Sequence, residues 1–251
     1  MSERDAERSV SQTVRAQLAL RDMILSGRLR PGERISELQA VEITGVSRTP
    51  VRLALVRLED EGLLRAIPSG GFMVKAFTER DILDSIELRG TLEGLAARFA
   101  AERGVSARSL EPLKQCLADL DQLVQQDPVS VEAFSAYVTM NARFHALLNE
   151  LSASAPLIRE IDRVSALPFA SPSGFVMAQS ALPEAHQILL IAQDHHRIVV
   201  DAIENREGAR AESIMREHAR LAARNLRAAL RTRSHFDLVP ASALIKTPGA
   251  S

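Results

Sequence analysis

Residues 136–150, AYVTMNARFHALLNE, combine an apolar helical stripe with two polar side chains that could bind a metal ion. The stripe consists of Phe134, Tyr137, Val138, Phe144 and Leu148. Asn141 and His145 fall on the same face, one helical turn apart. A buried polar group without a partner costs roughly 1–3 kcal/mol, so we expect both side chains to meet a partner inside the fold.

Two further histidines occupy predicted apolar faces of later helices. The face of His195 includes Ile188, Ile191, Ile198 and Ala202, and the face of His218 includes Ala211, Ile214 and Leu221. His196 is about 100° around the helix from His195 and is expected to face outward. Asn141, His145, His195 and His218 would thus bring four ligands from three helices to one centre, and a divalent metal ion would be their common partner.

The predicted ligands also indicate which ion and which small molecule would bind. A set rich in imidazole favours zinc or nickel over magnesium or calcium. Because all four ligands are neutral, the buried ion would keep its +2 charge, and we expect a small carboxylate effector to complete its coordination. Arg89, within IELRGTLEGLAARFAA, is the candidate effector-binding residue, since a guanidinium can pair with a carboxylate at two points. Alternatively, Arg89 is an ordinary surface or interhelical arginine.

Four other interpretations of the polar cluster stay open, and one of them is an apolar core with incidental histidines. The same residues could form a metal-free polar pocket, or the site of a metal sensor that binds no organic effector. They could also belong to a metalloenzyme on a helical bundle. The sequence shows no clear general base beside the ligands, and an enzyme would not explain the N-terminal region described below.

The composition favours a helical, globular protein in a reducing compartment. The chain has 251 residues, of which 46% are hydrophobic and 25% charged, with a net charge of −1. Cys116 is the single cysteine, so an internal disulfide framework is excluded. The charged N-terminus lacks the apolar core of a signal peptide, and no run approaches the ~20 apolar residues that span a bilayer. We therefore expect a cytoplasmic protein without a membrane partner.

Residues 10–77 are predicted to form a winged helix-turn-helix. Three helices are expected, at about 10–26, 36–43 and 47–61, and Ser36 with Gln39 makes a capping-box pattern. The stretch LLRAIPSGGFMVKAF then resembles two short strands around a Pro-Ser-Gly-Gly turn.

Residues 78–233 are predicted to form an all-helical bundle, so the fold class is mainly α. Helices are expected at about 79–103, 106–126, 130–151, 156–166, 184–205 and 208–232. Residues 167–182 form a long connection that could be a lid or a mobile loop. Residues 234–251 are expected to be a flexible tail.

The third helix carries the most specific pattern, GVSRTPVRLALVRLEDEGLL. Arg48, Thr49 and Arg52 project from its N-terminal, solvent-facing side, which in a recognition helix meets base edges in the major groove. Arginine can pair with guanine through two hydrogen bonds, and threonine can bind phosphate.

The segments ILSGRLRPGERISE, GVSRTPVR and LEDEGLL closely resemble the GntR family of bacterial transcription regulators, and the helical remainder resembles its FCD-type effector domain. The resemblance implies a ligand-responsive regulator that binds double-stranded operator DNA as a homodimer. We expect it to act as a repressor. It implies DNA contacts by Arg48, Thr49 and Arg52, and by Ser69 and Gly70 at the wing tip. It also implies a metal site with an Asp or Asn four residues before a His, followed by one His on each of two later helices.

Overall fold

The computed structural model describes residues 3–125, 130–180, 182–230, 236–239 and 241–246. The chain divides into two compact units, one of Met1–Arg80 with Ala241–Ser251 and the other of Asp81–Pro240. The predicted boundary between residues 77 and 78 lies close to this division.

The first unit is a winged helix-turn-helix, as the sequence predicts. Its helices are α1 (Glu3–Leu25), α2 (Glu37–Thr44) and α3 (Arg48–Asp60), and its strands are β1 (Arg34–Ile35), β2 (Leu64–Ala66) and β3 (Phe72–Val74). The strands form an antiparallel sheet in the order β1-β3-β2. The buried side chains of α3 include Val51, Leu55 and Leu58, which hold the helix against the core.

Local signals fix the turn between α2 and α3. The Ser36 hydroxyl accepts a hydrogen bond from Gln39 N, and the Gln39 side chain bonds back to the Ser36 N–H, which confirms the predicted capping box. Helix α2 ends at Gly45 in the left-handed conformation, with φ of 63°. Ser47 occupies the N-cap of α3, although its side chain makes no capping hydrogen bond.

The second unit is all-helical over its described residues. Its helices are α4 (Glu79–Arg103), α5 (Ala107–Val124), α6 (Val131–Leu151), α7 (Ala155–Ser165), α8 (Val176–Gln179), α9 (Ala185–Glu204) and α10 (Gly208–Ala229). Among the described residues, α5 packs on α6 and on α9, and α9 packs on α10. Their shared core includes Leu113, Leu120, Phe144, Val199 and Met215. No described helix of either unit is long and apolar enough to cross a membrane.

The connection at 167–182 is more ordered than the predicted lid or loop. It contains a 3₁₀ turn at Pro168–Ala170 and the short helix α8. Phe169 and Phe175 are at most 1% exposed, so the connection contributes aromatic side chains to the core. The apolar residues in LPFASPSGFVMAQSAL are the signal that the prediction overlooked.

The predicted flexible tail is wrong for residues 241–246, which belong to the first unit. Ser242–Leu244 form a 3₁₀ turn, and Ile245 pairs with Phe77 in a parallel bridge. Leu244 and Ile245 are buried, so apolar burial and backbone hydrogen bonds fix this segment. The rest of the tail, apart from residues 236–239, lies outside the described residues.

Candidate functional site

Three buried histidines from three helices of the second unit converge on one point. They are His145 on α6, His196 on α9 and His218 on α10. Each histidine contributes one ring nitrogen to a group of three atoms that all lie within 4.8 Å of one another. The Nε2 atoms of His145 and His218 are 3.2 Å apart.

The prediction of an inward His195 and an outward His196 is wrong. His196 is fully buried, whereas His195 is half-buried, with its ring centroid 6.0 Å from that of His218. The buried face of α9 centres on a different stripe from the one used in the prediction. That stripe is Ile188, Leu189, Ala192, Gln193, His196, Val199, Val200 and Ile203. Its spacing of three and four residues was present in the sequence and could have identified His196.

Two neighbouring side chains fix which nitrogens of the cluster carry protons. Nδ1 of His145 lies 2.9 Å from Glu93 Oε1, and Nδ1 of His196 lies 3.0 Å from Gln193 Oε1. The Gln193 amide nitrogen donates to Leu117 O and to Asp121 Oδ1, which leaves its oxygen as an acceptor. Both histidines therefore donate from Nδ1, which leaves Nε2 as the nitrogen that each can turn toward a ligand.

Glu93 is a residue of the candidate site that the sequence prediction missed. It is fully buried on α4 and pairs with Arg89, whose Nη1 lies 2.6 Å from Glu93 Oε2. Burial raises the pKa of Glu93, but the charges of Arg89 and His145 and the hydrogen bond from His145 outweigh it and hold this pKa at about 2. The carboxylate is thus ionised and acts as an acceptor for His145. Its position four residues after Arg89, on the same helical face, was the available signal.

Arg89 is 1% exposed, so the surface half of the alternative is wrong, and its ion pair with Glu93 lies within α4 rather than between helices. Its Nη1 binds Glu93, while its Nε has no hydrogen-bond partner among the described residues. An unpartnered donor on a buried cation is costly, which favours an anionic ligand beside it.

Asn141 is buried, as predicted, and only the nitrogen of its side-chain amide has a hydrogen-bond partner among the described residues. Its Nδ2 donates to Ser173 Oγ at 3.0 Å, and Ser173 in turn donates to Val138 O. The Oδ1 atom of Asn141 has no partner among the described residues. The amide oxygen, which is the metal-binding atom of asparagine, is therefore available.

A cavity lies beside the cluster, with about 410 Å³ of empty space when the part open to solvent is included. Polar side chains of its wall are Arg89, Tyr137, Asn141, Gln179, His218 and Asn225, and apolar ones include Phe175, Ile188, Leu189 and Leu221. Five polar atoms of these wall residues have no partner among the described residues: Arg89 Nε, Tyr137 Oη, Asn141 Oδ1, His218 Nδ1 and Asn225 Oδ1. An apolar wall with a few convergent polar groups is typical of a small-molecule site.

Two histidines of the cluster, His196 and His218, resist protonation. Burial lowers the pKa of His196 well below 6.5, helped by the neighbouring His145, and burial likewise lowers the pKa of His218, helped by His196 and His145. Neutral imidazole is the form that binds metals.

The donors fit a divalent metal ion. Two nitrogens bound to one zinc ion at about 2.0–2.1 Å with tetrahedral angles lie roughly 3.3 Å apart; the Nε2 atoms of His145 and His218 are separated by 3.2 Å. Nε2 of His196 is buried without a partner among the described residues, as is Asn141 Oδ1. Glu93 and Gln193 supply the outer hydrogen bonds that orient metal-binding histidines.

The predicted DNA-contacting residues are exposed on the first unit. Arg48, Thr49 and Arg52 lie along the N-terminal part of α3, and the Arg52 side chain is 74% exposed, with Nε 3.6 Å from Glu37 Oε1. Ser69 and Gly70 are exposed at the wing tip, where Gly70 has φ of 89°. The N-terminal end of the third helix and the tip of the wing are the parts of a winged helix-turn-helix that contact DNA.

Comparison with known families assigns both units. Residues 12–74 match the family of bacterial regulatory proteins named gntR, and residues 84–231 match the FCD domain. The chain belongs to the GntR family and carries an FCD domain. Three relatives illustrate what this regulator is similar to.

An uncharacterized HTH-type transcriptional regulator of Bacillus subtilis, YdhC, is 29% identical over 80% of this chain and 75% of its own. A probable D-xylose utilization operon repressor of Paenarthrobacter nicotinovorans is 28% identical over 78% of this chain and 80% of its own. The crystal structure of a putative GntR regulator from Rhodococcus sp. RHA1 is 26% identical, covers 87% of this chain and 99% of its own, and has a TM-score of 0.53. This GntR-family protein is therefore a DNA-binding transcriptional regulator, not an enzyme.

Proposed function

We propose that this regulator is a repressor whose FCD domain binds a divalent metal ion and a small carboxylate effector. The single observation that carries this proposal is the convergence of His145, His196 and His218 on one buried point. Asn141 supplies the fourth ligand. Compared with the set predicted from sequence, His196 replaces His195.

The metal contributes a fixed positive charge at the floor of the cavity. Nε2 of His196 and Oδ1 of Asn141 have no partner among the described residues, and without an ion to accept their lone pairs each would cost about 1–3 kcal/mol. Zinc and nickel remain the expected ions, because the donors are three imidazoles and an amide.

The effector is proposed to be a carboxylate because the cavity presents cationic and hydrogen-bonding groups to it. Arg89 is balanced by Glu93 within the site, so the ion's charge is the one left for a ligand to neutralise. The free Arg89 Nε and Tyr137 Oη can donate to carboxylate oxygens, and the apolar wall limits the ligand to a small organic acid.

The DNA-bound form is proposed to be a homodimer that acts in the cytoplasm. One winged helix contacts too few base pairs for genomic selectivity, so two copies would bind symmetric half-sites, read by Arg48, Thr49 and Arg52 and steadied by Ser69 and Gly70. Sedimentation velocity of the protein alone and with its DNA measures this state. Monomers in both conditions would exclude the dimer.

A titration tests the effector role. Operator duplexes are first selected from a random DNA library with the full-length protein. Fluorescence anisotropy then follows release of the labelled duplex by small mono-, di- and tricarboxylates, with protein loaded with zinc or nickel and with protein stripped by a chelator. We expect at least one acid to weaken DNA binding, and to do so more strongly with metal present.

The outcomes separate the competing functions. Selection of no DNA sequence would contradict the regulator itself. Release by metal alone, with no acid effective, would favour a metal sensor over an effector-binding regulator. An acid effect that is equal with and without metal would favour a metal-free polar pocket.

A further inference from the structure

Residues 241–246, the C-terminal segment, form a fixed part of the first unit, which contains the winged helix-turn-helix. Phe77 N donates to Leu244 O and Lys246 N donates to Phe77 O, both at 2.8 Å, so the segment pairs with the chain that leaves the wing. Leu244 and Ile245 are buried beneath these hydrogen bonds. The backbone of Lys246 is therefore held in a defined position.

The same segment also packs closely against the turn that follows α1, where Ala243 approaches Gly27. Gly27 has φ of 74°, and a Cβ atom built on it would lie 2.8 Å from Ala243 Cβ. The absence of a side chain at Gly27 allows this approach. Two separate contacts, to α1 and to Phe77, thus place the segment beside the wing sheet.

This placement completes a cationic groove. Arg65, Lys75 and Lys246 line it, together with Pro31, Gly32, Met73, Val74 and Ala76, and no carboxylate is among the lining residues. None of the three cations forms an ion pair with a carboxylate in the described part of the chain. Arg65 instead donates to Met73 Sδ at 3.6 Å, and Lys75 Nζ lies 5.2 Å from the centre of the Phe77 ring.

The groove is continuous with the wing tip along one face of the sheet. Met73 on the central strand pairs directly with Arg34 on one side and with Arg65 on the other. Directly paired residues share a sheet face. The Arg34 guanidinium donates to Ser69 O at 3.2 Å and to Gly70 O at 2.7 Å, so the row of positive charge begins at the tip.

We infer that Arg65, Lys75 and Lys246 form a binding site for backbone phosphates of DNA that flank the bases read by α3. The C-terminal segment thereby takes part in DNA binding. Unpaired cations on an exposed face complement the phosphate backbone, which supplies the salt-dependent and sequence-independent share of affinity. The inference goes beyond the proposed function, because it assigns a DNA contact to a segment outside both family matches, which end at residues 74 and 231.

The test compares three single lysine variants of the full-length protein. Lys75→Gln and Lys246→Gln each remove one groove charge, and Lys114→Gln is the matched control because Lys114 pairs with Glu204 in the second unit. Anisotropy with a labelled random-sequence duplex, from about 50 to 200 mM KCl, gives the dependence of log K on log salt. Thermal unfolding of each variant checks that the fold is intact.

Each groove variant should reduce the salt slope by about 0.9 per chain bound and weaken binding roughly threefold to tenfold near 0.1 M salt. Lys114→Gln should match the wild type. Groove variants with wild-type slopes and affinities would overturn the inference and leave the repressor function standing. Failure of the wild type to bind any duplex would overturn both.

Discussion

Nδ1 of His145 lies 2.9 Å from Oε1 of Glu93, a carboxylate that belongs to a different helix and is 0% exposed. This contact connects the histidine cluster to the buried pair of Glu93 and Arg89. It directs the Nδ1 proton of His145 toward Glu93 and brings two opposite charges next to the proposed site. The sequence predicts a site with neutral groups alone, but an anion and a cation that balance each other, Glu93 and Arg89, lie beside the proposed site.

Glu93→Gln should therefore weaken both stability and metal binding. The buried Arg89 would lose its counter-charge, at a cost of about 3–5 kcal/mol, and metal affinity should fall roughly 10–100-fold as His145 loses its orienting carboxylate. Urea unfolding and zinc titration measure the two effects. Glu160→Gln is the control, since its pair with Arg163 is exposed. A stability loss no larger than that of the control would refute the role given to this pair.

Asn141→Asp should have opposite effects with and without metal. The new carboxylate would lie next to the ion and tighten it by about tenfold or more, while reducing the need for an anionic effector. In stripped protein the same group would be a buried charge and would lower the unfolding temperature. Asn149→Asp, on a buried asparagine of the same helix, is the control and should only destabilise. Equal metal affinity in Asn141→Asp and wild type would argue against Asn141 as a ligand.

Stripped protein should lose stability on acidification. The folded pKa values of His196 and His218 lie well below 6.5, so near that pH the unfolded chain binds more protons than the folded chain. The stability that these two histidines contribute is complete above pH 6.5 and is lost as the pH drops from there toward the folded pKa values, by up to about 1.4 kcal/mol per pH unit for each histidine. Urea unfolding at a series of pH values tests this, and His196→Gln should flatten the curve. A variant curve as steep as that of the wild type would exclude His196 as a cause.

Arg48→Ala should change how the operator is read. Loss of a guanidinium that pairs with one base should cost about 1–3 kcal/mol and relax the preference at that position. Competition with operator duplexes altered at single positions measures the change. Arg163→Ala, at an exposed arginine of the second unit, should leave both quantities unaltered. If Arg48→Ala kept the base preference of the wild type, α3 would not be the helix that contacts the operator bases.

The elements of this fold could be predicted because local signals determine them. The predicted helix at 79–103 coincides with α4, and the Ser36–Gln39 box opens α2 as expected. The burial of Asn141, His145 and His218 also followed from helical spacing. These features depend on residues three or four apart, which one sequence displays directly.

The remaining features of the site depend on how the helices pack against one another. His195 and His196 are adjacent but about 100° apart around α9, and only the whole buried stripe of that helix, as its packing defines it, selects His196. The partnership of Glu93 with His145 joins residues 52 positions apart. The pairing of Ile245 with Phe77 likewise joins distant parts of the chain. Such contacts have no local signature in a single sequence.

Zinc content of His196→Ala against His195→Ala is the most direct test of the proposed metal centre. The two residues are neighbours on α9, but only the His196 ring is grouped with His145 and His218. Each full-length variant is stripped, loaded with zinc, dialysed and measured by plasma mass spectrometry beside the wild type. We expect about one zinc per chain in the wild type and in His195→Ala, and loss of the bound zinc in His196→Ala. Retention of zinc by His196→Ala, or its loss from His195→Ala alone, would contradict the account.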